Sequence, residues 1–528
     1  MLHGETGTRD VTMPGGGASA EAGLPARRAR FGDRFSPDQR TAPYAEAVER
    51  FGESAPLSFM VPGHGNDPEL GGAHIAELLG PRIAGLDVPL MLEGIDLGDD
   101  SPLMRAQRLA AEAWGARRSW FLTNGASQAN RTAAIAVRGL GERVLIQRSM
   151  HSSFTDGVLL AGLVPSFVRP AVDERHGIAH GLTPGALDAA LDREAAAGRP
   201  AASVYLVSPS YFGSTADVRG LAEVAHAHGA ALIVDGAWGA HFGFHPELPE
   251  SPARLGADLV VSSTHKLAGS LTQSAMLHLG DGPFAERLEP LVARAFAMTA
   301  STSMSSVLMA SLDVARRALA TGEERIETAI RAAGKVRERL RSDPRFAVIS
   351  DDFDAFPDIV ETDVLRVPID VSALGRSGHW VRERMIRDHG VYLEMSTATS
   401  VVLVIGALRA PDVDRFFSAL DAVADEALRT GAEELVAEFP ELPEPGELRM
   451  LPRDAFFGES ELVPAVEAVG RVSADTLAAY PPGIPNLLPG EEITAETVAF
   501  LQAVAASPTG YVRGAADAAV ATVRVVAG

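Results

Sequence analysis

From about Ser119 the chain alternates short, continuously apolar runs with longer stretches whose apolar positions recur at helical spacing. The runs Ser119–Leu122, Arg143–Gln147, Ser203–Val207, Ala231–Val234, Asp258–Ser262 and Ser274–His278 are predicted strands. Helices such as Ala126–Arg138 and Gly220–His228 are predicted between them. A strand apolar at successive positions is buried on both faces, and its alternation with helices predicts a mainly parallel sheet in an α/β domain. A smaller unit follows, with strand Val364–Ile369, helix Gly378–His389, strands Val391–Met395 and Val401–Ile405, and closing helix Pro411–Leu428. Between the two units, Met304–Leu340 reads as a long helical link.

The patterning divides the chain into four parts. Residues 1–42 are rich in Gly, Ala, Arg and Pro without periodicity and are expected to be a disordered extension. Residues 43–303 form the large domain, and 304–438 the linking helix with a smaller α+β domain. Residues 439–528 begin with a Pro- and Glu-rich linker, Phe439–Glu447, and continue into a C-terminal α/β segment containing the turn Pro481-Pro482-Gly483-Ile484-Pro485.

Composition narrows the chemistry. The chain of 528 residues contains no cysteine, which excludes disulfides, thiolate metal sites and cysteine nucleophiles. Sixty-nine acidic against 47 basic residues give a net charge of −22, a poor match for a phosphate backbone, so no nucleic-acid partner is expected. The apolar runs fall far short of a membrane span, and the N-terminus lacks a signal-type apolar stretch. The expectation is a cytoplasmic protein acting on a small molecule, with no membrane partner and no metal.

The residues able to carry that chemistry lie at the ends of the predicted strands. Ser262-Ser263-Thr264-His265-Lys266 follows strand Asp258–Val261, and ligands of open α/β sheets bind beyond the carboxyl ends of strands. A lysine there forms a carbonyl adduct once it loses its proton, which desolvation promotes. Strand Ala231–Val234 ends in Asp235, an acid placed to hold a proton on the pyridine nitrogen of pyridoxal 5′-phosphate (PLP). Alone, Lys266 reads as a surface lysine and Asp235 as a helix cap; together, 31 residues apart, they point to a PLP site. Thr123-Asn124-Gly125-Ala126-Ser127 opens a helix whose N–H groups suit a phosphate, although a plain cap explains it equally. His151, after strand Arg143–Gln147, can stack on a planar cofactor or be structural.

The order of these pieces resembles the major domain of the Orn/Lys/Arg decarboxylase family, PLP enzymes of the aspartate-aminotransferase fold (fold type I). The similar stretches are Phe59-Met60-Val61-Pro62-Gly63-His64, Ala110 to Ala116, Phe121-Leu122-Thr123-Asn124-Gly125, Val234-Asp235-Gly236-Ala237-Trp238 and Ser263-Thr264-His265-Lys266. Val469-Gly470-Arg471-Val472-Ser473, Tyr480 to Pro485 and Pro489-Gly490-Glu491 extend the likeness to residues 43–528. The resemblance implies that Lys266 is the Schiff-base lysine and His265 the imidazole beside the scissile group. It implies that Asp235 pairs with the pyridine nitrogen, Ala237 packs under the ring with Trp238 close by, and His151 stacks on the other face. Ala126, Ser127 and Ser263 would hold the phosphate, and Thr302 and Ser303 would reach the site of a partner chain in a homodimer or larger assembly.

The chain departs from the family at Gly65, at Asp99-Asp100-Ser101-Pro102, at Trp238 and at Met304. These positions surround the substrate entrance more than the cofactor. Residues 1–42 are too few for the wing domain of the larger family members. The implied reaction is α-decarboxylation of lysine, arginine or ornithine to a polyamine precursor and CO2. Glu394 and Glu491 are candidates for the carboxylate that receives the substrate's cationic end. Transamination, aldol cleavage and PLP binding without turnover are the alternatives, since one fold serves many reactions.

Overall fold

The computed structural model describes residues 31–431, 443–480, 484–507 and 510–528. At its centre is a sheet of β1 (Arg118–Leu122), β2 (Arg143–Gln147), β3 (Val164–Val168), β4 (Ser203–Val207), β5 (Ala231–Asp235), β6 (Leu259–Ser262) and β7 (Ala275–Leu279). The strand order is β1-β7-β6-β5-β4-β2-β3. Pairs from β3 through β6 are parallel, and β7 runs antiparallel to β6 and β1. The six apolar runs are all strands, to within one residue at each end, and every residue of β5 and β7 is buried. The exception to the sequence pattern is β3, whose Pro165 argues against a central strand; it lies at the sheet edge, where a missing N–H is tolerated.

Helix α1 (Gly125–Val137) follows β1, and α2 (Ser152–Ala161) follows β2. A single turn, α3 (Thr264–Leu267), follows β6. The expected long link is two helices, α4 (Ser306–Ala320) and α5 (Glu323–Arg341). The corner is at Gly322, where a Cβ would stand 2.2 Å from the Ala318 carbonyl oxygen, so only glycine makes this turn.

The smaller domain has the antiparallel order β8 (Ala347–Val348), β9 (Arg366–Asp370), β11 (Ser400–Val404), β10 (Met395–Ser396), with helices α6 (Gly378–His389) and α7 (Val413–Thr430). Of the expected strand Val391–Met395, only Met395 is in a strand. Gly390 ends α6 in the left-handed region and the Val391 N–H bonds to the Met385 carbonyl, so this backbone closes the helix instead of extending the sheet.

The C-terminal segment builds its own core from β12 (Ser460–Pro464), β13 (Leu477–Tyr480), β14 (Ile484–Leu487), β15 (Tyr511–Arg513), β16 (Thr522–Val526) and helix α8 (Ala495–Ala506). Part of the expected linker and the turn residues Pro481, Pro482 and Gly483 lie outside the described residues.

Residues 31–42 correct the expected extension. Phe31–Arg34 and Pro37–Arg40 are short 3-10 helices packed on the body. Fully buried Arg316 donates to the Gln39 carbonyl at 2.8 Å, Arg34 pairs with Glu250 at 2.8 Å, and Phe35 stacks on Phe244. Gly/Ala/Arg/Pro composition does not report such partners, which are more than 200 residues away. Residues 1–30 lie outside the described part. Among the described residues no helix is long and apolar enough to cross a membrane.

Candidate active site

Strands β2, β4, β5 and β6 are parallel, so their carboxyl ends share one edge of the sheet, and a cleft of about 440 Å3 opens there. Ala126, Ser127, His151, Asp235, Ala237, Trp238, Ser263, His265 and Lys266 all line it, brought together from the ends of four strands.

Lys266 sits in α3 with its amine 3.6 Å from the centre of the Trp238 ring. Burial lowers its pKa from 10.5 to about 7; Asp235 and Glu394 oppose that shift and Arg366 adds to it. The amine is therefore substantially neutral at neutral pH, the state a carbonyl adduct requires. The chain has only two lysines, and the other, Lys335, is exposed on α5 far along the fold. His265 donates from Nδ1 to the Ser274 carbonyl at 2.9 Å, which leaves Nε2 for the cleft.

Asp235 ends β5 and is buried. Its Oδ2 accepts from the Tyr205 hydroxyl at 2.6 Å and from Asn130 Nδ2 at 2.9 Å, and its Oδ1 accepts from the Ala237 N–H at 3.0 Å. Three donors fix the position and orientation of this carboxylate. In turn, burial and the neighbouring Asp235 charge hold the Tyr205 hydroxyl protonated, its pKa well above the ordinary tyrosine value. Asn130 also donates to Ser153 Oγ at 3.0 Å, and Ser153 lies 2.8 Å from His151 Nδ1. His151 caps α2 by accepting the Ser153 N–H on Nδ1, so in the neutral ring the proton is on Nε2. The cleft-lining histidine and the buried aspartate thus share one hydrogen-bonded network.

At the other end of the cleft, Ala126 and Ser127 occupy the first turn of α1, where N–H groups have no intrahelical partner. Ser263, buried, faces the same space. The donor set fits PLP: a near-neutral amine, a carboxylate fixed by three donors, an imidazole at His151 lining the cleft, and hydroxyls with helix N–H groups that suit a phosphate.

Four predicted residues do not line the cleft itself. Thr302 and Ser303 are exposed and do not line this chain's cleft. Glu491 is not free for a substrate: it is buried, with Arg148 on both carboxylate oxygens at 2.5 and 2.9 Å and the Leu488 N–H at 2.9 Å. Glu394 is exposed at the cleft's rim, beside lining residue Met395, and accepts from the Tyr211 hydroxyl at 3.3 Å.

Sequence reasoning missed Asn130, Tyr205, Tyr211 and Arg366. Arg366 is fully buried, its guanidinium carbon 4.1 Å from the Trp238 ring centre and its Nη1 donating to the Tyr211 carbonyl at 2.5 Å. The signal was present, because a charged residue interrupts the apolar run Val364–Ile369. Tyr205 likewise is the one long polar-tipped side chain in β4.

A lysine and an aspartate at neighbouring strand ends of such a sheet, with a helix N-terminus and serine hydroxyls facing the same cleft, have the make-up of a PLP-dependent enzyme's site. Family comparison agrees. Residues 42–367 match the major domain of Orn/Lys/Arg decarboxylase and 438–510 its C-terminal domain. The arginine decarboxylase of Bacillus subtilis (strain 168) is 32% identical over 474 residues, 88% of this chain and 93% of that protein. The arginine decarboxylase of Bacillus cereus is 33% identical, over 86% and 97%. The lysine decarboxylase of Francisella novicida has the same fold, with a TM-score of 0.77 at 21% identity, covering 94% of this chain and 82% of that one. The chain belongs to the Orn/Lys/Arg decarboxylase family and is a PLP-dependent amino-acid decarboxylase.

Proposed function

We propose that this enzyme removes the α-carboxyl group of arginine, giving agmatine and CO2, in the cytoplasm. The observation that carries the choice of substrate is the pattern of likeness. Four arginine decarboxylases are 32–33% identical over 86–92% of the chain, whereas three lysine decarboxylases are 24–25% identical over 87%. Glu394 supports the reading: an exposed carboxylate at the cleft rim, steadied by Tyr211, suits a guanidinium arriving at the end of a flexible side chain.

PLP supplies the electron sink for the breaking bond between Cα and the carboxylate. The chain's own residues do the rest. Lys266 Nζ would hold the cofactor and could return a proton to the substrate's Cα, with His265 Nε2 as the other donor within the cleft. Asp235 would pair with the pyridine nitrogen, and Asn130, Tyr205 and the Ala237 N–H hold Asp235 in orientation for it. His151 and Ala237 would flank the ring, while Ser127, Ser263 and the first turn of α1 would anchor the phosphate, all of them lining the same cleft.

We further propose a homodimer in which Thr302 and Ser303 of one chain complete the cleft of the other. The exposed apolar side chains Leu57 (86%), Phe59 (93%) and Val61 (78%) support a covered surface in the assembly.

The substrate is tested by product analysis with arginine, lysine and ornithine. Stoichiometric CO2 and agmatine from arginine are expected, at a kcat/KM above those of the other two. Turnover confined to lysine or ornithine would overturn the choice of arginine, and a keto acid without CO2 would overturn decarboxylation itself.

A further inference from the structure

The loop that carries His151 is held at both ends by the C-terminal domain. Three residues before the histidine, Arg148 continues β2. Its guanidinium donates to both oxygens of Glu491, at 2.5 and 2.9 Å, and to the Asn486 carbonyl at 3.1 Å. The pair spans 343 residues of sequence, both side chains are nearly inaccessible (9% and 1% exposed), and the guanidinium also packs 4.6 Å from the Phe167 ring centre. One residue after the histidine, buried Ser152 opens α2, and its Oγ accepts from Arg513 Nη1 at 2.8 Å. Arg513 belongs to β15, which pairs with β13, and β13 pairs with β14, the strand that sends Ile484 into the cleft and carries Asn486. The same small sheet therefore grips His151 from both flanks and contributes a wall residue.

Such grips matter for a stacking residue. An imidazole set against a planar ring must hold its plane, and a loop free at one end would trade that orientation for backbone entropy. Within the large domain, His151 is held on its Nδ1 side by Ser153, and Ser153 is tied through Asn130 to Asp235. The outer side of the loop is secured from the C-terminal domain.

We propose that the C-terminal domain is a positioning element of the cofactor site, with Arg513 (through Ser152) and Glu491 (through Arg148) orienting His151 against PLP. The inference rests on the assignment of the cleft to PLP and of His151 to its ring face. It gives the domain a part in cofactor binding that no group in the cleft itself performs, since neither Arg513 nor Glu491 lines it.

The test is PLP affinity of the full-length apoprotein, titrated by absorbance and fluorescence, for wild type, Arg513→Ala, Ser152→Ala, His151→Ala and the doubles with His151→Ala. The melting temperature of each apoprotein serves as the structural readout. Arg513 is exposed and its removal leaves no buried charge, so this series does not depend on the riskier Glu491→Gln. Arg513→Ala and Ser152→Ala are each expected to weaken PLP binding by about tenfold, the worth of a charge-assisted hydrogen bond. In the His151→Ala background, the same changes are expected to have less than about a twofold effect, because residues acting through one another are not additive. Full additivity, with affinity falling in step with melting temperature, would make these contacts structural and overturn the proposal while leaving the PLP site intact. No effect of His151→Ala alone would overturn both the proposal and the stacking role of His151. Wild type that binds no PLP would overturn the reading of the cleft.

Discussion

The two ends of the cleft are built differently. Around Asp235 and Lys266 the key groups are held by the protein: Asp235 has three donors, Asn130 bridges it to Ser153, and the Lys266 amine is buried against Trp238. Around Glu394 the wall is open, and the carboxylate has one long hydrogen bond, from Tyr211 at 3.3 Å. A cofactor that stays bound through turnover rewards preorganisation, since reaction-centre charges need no reorganisation. A substrate that must enter and leave rewards an exposed rim. Of the departures from the family pattern, Trp238 lies at the fixed end, buried against the Lys266 amine, whereas Gly65 and Met304 do not line the cleft.

This contrast can be broken from either side. The largest effect is expected at the fixed end: Asp235→Asn should lower kcat by roughly 10^3-fold, as loss of a preorganised charge does, with KM for arginine little changed. At the open end, Glu394→Gln should raise KM for arginine by about 10- to 100-fold with kcat within a few-fold, the signature of lost uniform binding. Steady-state kinetics on both variants separate the two ends, and a fall in kcat for Glu394→Gln would move that residue into the chemistry.

A smaller effect sharpens the account of Lys266. Its pKa is lowered to about 7, so the reactive, deprotonated amine is the minor form below that pH and the major form above it. The rate at which apoprotein captures PLP should therefore rise by about tenfold from about pH 6 to about pH 8, then level off. A capture rate still climbing steeply at pH 9 would show an unperturbed amine. The smallest expected effect is that of Tyr205→Phe, which removes one of three donors to Asp235 and should lower kcat by about three- to tenfold. Asn130 and the Ala237 N–H remain to hold the carboxylate.

The sheet was legible because its strands are apolar on both faces and their runs are uninterrupted. Lys266, Asp235 and His151 were legible because each directly follows such a run. Residues 31–42 were not, because their order comes from Arg316 and Glu250 far along the chain, which composition does not report. Glu491 matched a family stretch, yet its burial against Arg148 depends on how two domains pack, and no spacing rule carries that information. The network of Asn130 and Tyr205 behind Asp235 was hidden for the same reason: its members come from α1, β4 and β5, whose adjacency is tertiary.

The central claim is that Lys266 holds the cofactor, and the composition makes it unusually simple to test. With two lysines in the chain, borohydride reduction of the PLP-loaded protein followed by peptide mapping has two possible lysine products. The account predicts the pyridoxyl group on the peptide containing Lys266, none on that containing Lys335, and loss of both the label and the visible absorbance in Lys266→Ala. A label on Lys335, or a visible spectrum that survives Lys266→Ala unchanged, would contradict it.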